Sequence, residues 1–146
     1  VESWSVNSYT FEHEFKGGSY GLVSTAEDYW RFAQAMLNGG ELEGERILGP
    51  RMGDYMSMNH LTDQQRQSFS PAMGFGLGFS VAEDPAAAGY YTSVGTFAWG
   101  GAAATSFWID PVEDLVVVAM TQHMGVAGTA TVRGEMAAMV YAALLD

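Results

Sequence analysis

Cysteine is absent from this 146-residue chain. Its absence removes disulfides, thiolate metal sites and cysteine nucleophiles together, and leaves the compartment open. Basic residues are scarce: Lys16, Arg31, Arg46, Arg51, Arg66 and Arg133 stand against 17 acidic side chains, for a formal charge of −11. They are scattered, so there is no basic stripe for nucleic acid or an anionic membrane, and the acidity reads as a solubility property. Long apolar runs are missing as well. The stretch from Leu115 to Met120 is among the longest, far below the roughly 20 residues of a membrane span. Val1 leads straight into acidic and polar residues, so no targeting segment is expected within the chain. His13, His60 and His123 have no metal-ligand spacing, and no H-E-x-x-H helix occurs. Neither a metal nor another cofactor is expected.

What is there suits one compact domain spanning residues 1–146. Apolar residues make up 48% of the chain and aromatics 13%, enough for a core. The nine methionines need no special role, because methionine is a flexible core filler. Residues 1–16 read as an irregular lead-in, in which Phe11 to Phe15 alternates like a short strand. Residues 17–73 form a helical region. Its first helix runs from Ala26 to Asn38, with Ala26, Tyr29, Trp30, Ala33, Met36 and Leu37 on one stripe. Thr25 caps it and Gly39-Gly40 stops it. Pro50 opens a short second helix, as proline does at a first helical position. Leu61 to Pro71 reads as a polar surface loop.

Residues 74–122 read as antiparallel strands. Phe75, Leu77, Phe79 and Val81 alternate with small residues as one strand, and Pro85 to Gly89 follows as a loop. Gly95 to Trp99, Thr105 to Ile109 and Leu115 to Gln122 read as three more. The last two are joined by the turn Asp110-Pro111-Val112-Glu113-Asp114. Residues 129–145 close the chain as a helix with Val132, Met136, Met139, Val140, Ala143 and Leu144 on one face. The fold class is α+β, an antiparallel sheet flanked by helices.

Three patterns invite chemistry. Gly17-Gly18-Ser19-Tyr20-Gly21 fits G-x-S-x-G, and Asp110 and His123 follow in the order Ser, Asp, His. That alternative is an α/β-hydrolase-type esterase using Ser19. A nucleophile elbow, however, needs a buried strand before the serine and a helix at once after it. Here Glu12, His13, Glu14 and Lys16 precede it and the helix starts about six residues late by the elbow's requirements. Ser57-Met58-Asn59 matches a short S-x-N element and is assigned no role. Trp99-Gly100-Gly101-Ala102 differs from both, because it ends a strand and leaves the backbone open. Glycines there mark close approach of a ligand or another backbone, or a plain bend. An exposed N–H in such a place can aim at a developing oxyanion.

The stretch from Gly17-Gly18-Ser19-Tyr20-Gly21-Leu22-Val23-Ser24-Thr25-Ala26-Glu27-Asp28-Tyr29 through Leu37-Asn38-Gly39-Gly40-Glu41-Leu42 resembles family VIII carboxylesterases and their class C β-lactamase relatives. Gly74 to Gly78, Trp99 to Ala102, Phe107-Trp108-Ile109-Asp110-Pro111 and Met120-Thr121-Gln122 continue the resemblance in order. It implies the C-terminal half of a penicillin-binding-protein-type serine hydrolase, a partial β-lactamase/transpeptidase-like fold lacking its N-terminal portion. In that family a serine of S-x-x-K is acylated, with a lysine and the tyrosine of Y-x-N moving protons. A third motif, K-T-G or W-G-G, lines the cleft. By resemblance, Trp99, Gly100 and Gly101 occupy that motif and contact substrate, and the backbone N–H of Ala102 is an oxyanion donor.

Two departures matter. The only lysine is Lys16 with His13 three residues before it, and no tyrosine has asparagine two residues later, so S-x-x-K and Y-x-N are both absent. The chain alone is therefore expected to be inert, with the missing N-terminal half of the same enzyme as its partner. Trp99 also stands where K-T-G has lysine. Losing that charge costs about 1.5–3 kcal/mol toward a β-lactam carboxylate and nothing toward an uncharged ester. The expectation is a carboxylesterase acting on a small ester, with β-lactam-like compounds as side substrates. The competing class is a non-catalytic penicillin-binding-like or chain-pairing module. Open sheet edges also point to a homo-oligomer.

Overall fold

A computed structural model describes residues 22–123 and 129–145. The Phe11 to Phe15 strand and the glycine-rich run around Ser19 lie outside the described residues.

The first helix, α1, spans Ala26–Leu37, and its N-cap Thr25 accepts a hydrogen bond from Asp28 N at 3.1 Å. Ala33, Ala35 and Met36 are buried. Trp30, expected on the same stripe, is 42% exposed. It lies one residue past Tyr29, which turns it about 100° off the buried line. The chain then makes a two-residue hairpin, β1 (Glu41–Leu42) and β2 (Glu45–Arg46), and α2 (Pro50–Ser57) with Pro50 in its first turn.

The expected loop from Leu61 to Pro71 contains a helix instead, α3 (Asp63–Phe69). Thr62 Oγ1 accepts from Gln65 N, and Gln65 Oε1 accepts from Thr62 N at 2.9 Å. That reciprocal capping box satisfies two donors at the helix start and lets a polar heptapeptide fold. The loop expected at Pro85 to Gly89 is likewise a single helical turn, α4 (Pro85–Ala88), capped by Asp84 Oδ1 on Ala87 N.

The alternating run from Gly74 to Val81 is a hairpin rather than one strand. β3 (Met73–Phe75) and β4 (Ser80–Ala82) pair with Met73 opposite Ala82 and Phe75 opposite Ser80. Gly78, at φ +98°, makes the reversal, a conformation that L side chains rarely adopt. β5 (Phe97–Gly100), β6 (Ser106–Asp110) and β7 (Leu115–Ala119) complete a five-stranded antiparallel sheet ordered β3-β4-β5-β6-β7.

Alternation along these strands separates two faces. Val81, Phe97, Phe107 and Ile109 join Ala33, Met36 and Phe79 in one buried cluster, under α1. The alternate positions Ala98, Ser106 and Trp108 line a cavity together with Arg133, Ala137 and Tyr141 of α5 (Thr129–Ala143). The last helix thus turns a mixed row at four-residue spacing toward the sheet, whereas Met139, read on its buried face, is 66% exposed. The α+β class with helices on both sheet faces is as the sequence implied. No described helix is long and apolar enough to cross a membrane.

Candidate active site

The edge of β5 changes character along its length. β4 pairs with it only at Ser80–Ala98 and Val81–Phe97, while β6 pairs from Phe97 through Gly100. From Trp99 onward the outer side of β5 has no strand neighbour among the described residues. The chain then turns tightly. Gly101 N donates to Thr105 O at 2.9 Å, and Ala104 N donates to Gly101 O at 3.2 Å. Because Gly101 directs its N–H toward β6, the next N–H, of Ala102, points to the other side. Ala102 is exposed, and its N–H has no acceptor among the described residues.

Trp99 and Ala102 are exposed, and Gly100 and Gly101 between them are half-buried. The Trp99 indole is 47% exposed and stands edge-on to Phe75, centroids 5.0 Å apart, and Phe75 in turn contacts Phe69. Trp99 and Gly100 also belong to the wall of a cavity of about 390 Å³. Ser106 Oγ and Trp108 Nε1 are buried without a hydrogen-bond partner among the described residues, and both residues line that cavity. Buried donors left unpaired cost about 1–3 kcal/mol each, so water or ligand oxygens are their natural complement.

Asp110 is not a member of a hydrolytic triad. It lies at the opposite end of β6 from Ser106, and its fully buried carboxylate is taken up by structure. Oδ1 accepts from Val112 N and Glu113 N, and Oδ2 accepts from Ser93 N and, at 2.6 Å, from Tyr141 Oη. Burial opposes its charge, but the Tyr141 and Ser93 donors outweigh burial and hold the carboxyl below its ordinary range. Burial and then the Asp110 carboxylate push the Tyr141 phenol up to about 12. His123 sits beyond β7, at the Ser106 end, with an exposed side chain and its N–H on Ala103 O. About four strand residues separate the ends, roughly 13 Å, so the two side chains cannot cooperate.

The other sequence candidates are structural. Ser57 Oγ bonds back to Gly53 O and Asp54 O, and Asn59 Oδ1 brackets Leu61 N and Phe75 N. His60 Nε2 lies 2.7 Å from Tyr55 O. Among the described residues, no group of three His, Cys, Asp or Glu side chains could hold a metal.

One residue the sequence reading passed over stands at the site. Arg133 Nη2 donates to Gly101 O and Thr105 O, each at 3.1 Å. A Cβ at Gly100 would lie 2.2 Å from that nitrogen and 2.6 Å from Thr105 O. The paired glycines carried the only signal, since they demand that something fill the space over them.

An antiparallel sheet with helices on both faces is the layout of a β-lactamase/transpeptidase-like fold. The family profile described as Beta-lactamase matches residues 3–139, and the chain belongs to that family. It is 40% identical over 127 residues to Protein Rv1367c of Mycobacterium tuberculosis, covering 79% of this chain and 32% of that one. It is 27% identical over 120 residues to Esterase EstB of Burkholderia gladioli, covering 81% and 29%. Among solved structures, EstCE1, described as a hydrolase with promiscuous acyltransferase activity, superposes with a TM-score of 0.76 at 26% identity, over 92% of this chain and 34% of that one. The unliganded simvastatin synthase LovD from Aspergillus terreus shares the fold at a TM-score of 0.63 and 18% identity, over 78% and 33%. The chain spans about a third of the length of these relatives.

Proposed function

We propose that this chain is part of a serine carboxylesterase that hydrolyses short-chain esters, and that it supplies one cleft wall and one oxyanion donor. The observation that carries this reading is the unpaired Ala102 N–H on the open edge beyond Trp99. A serine from outside these 146 residues attacks the ester carbonyl carbon, the alcohol leaves with a proton, and water then releases the acid from the acyl-serine. Ala102 N–H and the N–H of the nucleophile stabilise the oxyanion. Trp99, Gly100 and the cavity beside them accommodate the acyl or alcohol group, with β-lactam-like compounds as secondary substrates. The esterase and hydrolase among the relatives favour this over a non-catalytic module.

The test is p-nitrophenyl acetate and butyrate turnover by the complete protein and by the 146 residues alone. Turnover by the complete protein, with a serine labelled by a fluorophosphonate, is the expected result. Turnover by the isolated chain that Ser19→Ala abolishes would refute it and restore the elbow reading.

The outer edge of β7 has no neighbour among the described residues. That supports pairing with a strand from elsewhere in the complete protein or, in the isolated chain, with a second copy. Sedimentation of the isolated chain as a clean monomer would count against self-pairing.

A further inference from the structure

The Gly101–Thr105 segment is held almost entirely through its carbonyls. Gly101 O accepts from Ala104 N and from Arg133, and Thr105 O accepts from Gly101 N and from Arg133. Ala103 O accepts from Thr121 Oγ1 at 2.6 Å and from His123 N at 3.1 Å. Ala104 is fully buried at φ +61°, a conformation costing a non-glycine residue about 1 kcal/mol or more. Such strain persists only where surrounding contacts fix it.

Gly101 O and Ala102 N–H belong to the same peptide unit. That unit is planar and trans, so its carbonyl and N–H point in opposite directions. A cation bonded to the carbonyl therefore aims the N–H directly away from itself. It also draws electron density toward the carbonyl oxygen, which makes the N–H a better donor. Among the described residues no carboxylate forms a salt bridge with Arg133, and its described hydrogen bonds go to these two carbonyls.

We propose that Arg133 is a positioning residue for ester hydrolysis: through Gly101 O it orients and polarises the Ala102 N–H that receives the oxyanion. This rests on the reading of Ala102 as oxyanion donor, and the two can be separated. Ala102 is the second residue of the 101–104 turn, a position proline favours and whose N–H the turn does not use. Ala102→Pro therefore removes the donor while keeping the turn.

In the complete protein, Arg133→Ala is expected to lower kcat about tenfold or more with KM little changed, because the loss falls on the transition state. Added guanidinium should restore much of that loss, and Arg133→Lys, whose shorter stem ends in a more strongly hydrated ammonium, should restore less. The backbone amide proton of Ala102, followed by alanine-selective labelling, should move upfield in Arg133→Ala and return with guanidinium. A merely structural role would lower melting temperature without the kcat–KM split or the rescue. If Ala102→Pro is nearly inactive while Arg133→Ala retains full kcat and an unchanged Ala102 amide shift, the Arg133 proposal is wrong and the oxyanion reading stands. If Ala102→Pro retains full activity, the oxyanion reading itself fails. The amide shift decides on polarisation even where no ester is turned over.

Discussion

The Asp110–Tyr141 contact offers a quantitative prediction, because the strengths and the pH dependence of its parts are separable. Tyr141 Oη donates to Asp110 Oδ2 at 2.6 Å and stands 3.2 Å from Thr92 Oγ1. Tyr141→Phe keeps the ring and removes the hydroxyl. Asp110 retains Ser93 N, Val112 N and Glu113 N, so its carboxylate stays ionised at neutral pH. The loss is one charge-assisted hydrogen bond, about 2 kcal/mol. For a chain of this length that lowers the melting temperature by about 8 °C.

The pH dependence sharpens the test. Tyr141 has a folded-state value raised to about 12. The associated stability is complete below the ordinary tyrosine value near 10 and is lost as pH rises between the two. At about pH 11 the unfolded tyrosine is largely ionised and the folded one largely neutral, which removes on the order of 1 kcal/mol from the wild type alone. The gap to Tyr141→Phe should therefore shrink by about half or more toward alkaline pH. Tyr29, also raised by burial, is present in both proteins and cancels. Asp110 has the opposite sign. Its depressed value gives stability above the ordinary carboxylate range that is lost as pH falls through the folded value, and Tyr141→Phe should start that loss at higher pH. Thermal unfolding across pH decides the matter. A fall under about 2 °C at neutral pH, or a gap that does not change toward alkaline pH, refutes the reasoning.

Gly100→Ala should destabilise by about 1–3 kcal/mol, because the Thr105 carbonyl that a Cβ would meet is backbone and cannot swing aside; urea unfolding measures it, and no change would contradict the close approach. Thr62→Ala removes the capping box of α3 and should cost about 1 kcal/mol, with little effect if Thr62→Ser replaces it. Trp99→Lys in the complete protein should tighten binding of a carboxylate-bearing β-lactam about 10- to 100-fold and leave a neutral ester unimproved, as read by competition against p-nitrophenyl butyrate.

The elements legible in the sequence were those whose burial follows one period. α1 has its cap at Thr25 and its apolar stripe, and β5 to β7 have apolar runs broken by good turns. The misread elements follow other physics. α3 is held by side-chain caps and has no buried residue, so hydropathy could not find it, although the Thr62–Gln65 spacing was there to read. The β3–β4 hairpin hid because glycines at 76 and 78 fall on the small-residue positions of an apparent strand. In α5 the cavity is lined by Arg133, Ala137 and Tyr141, whereas Met139 and Leu144 of the expected apolar face are exposed, because the polar partners of Arg133 and Tyr141 draw them inward and hydrophobicity alone does not register that. The strand ending at the Trp99-Gly100-Gly101-Ala102 motif was legible from its pattern. Arg133 was not, since a guanidinium bound to carbonyls of a distant turn leaves no spacing in the chain.

The two glycines of the motif are not equivalent, and the difference bears on what the cleft accepts. A Cβ at Gly101 would meet mainly Thr105 Oγ1, at 2.5 Å, a hydroxyl on a side chain that can rotate away. A Cβ at Gly100 meets the Arg133 guanidinium and the Thr105 carbonyl together. In the K-T-G form that the resemblance supplies, this middle position carries threonine and the position before it a lysine. Here the lysine position is an indole, and the threonine position is vacated for a cation from α5. Positive charge is thus retained near the strand but bonded to backbone carbonyls. A carboxylate arriving beside Trp99 would have to compete with those carbonyls for Arg133, whereas a neutral ester needs only the N–H that Arg133 leaves pointing outward. Under the proposed esterase reading, the substitution of the whole motif disfavours a carboxylate-bearing substrate more than the loss of the lysine does by itself.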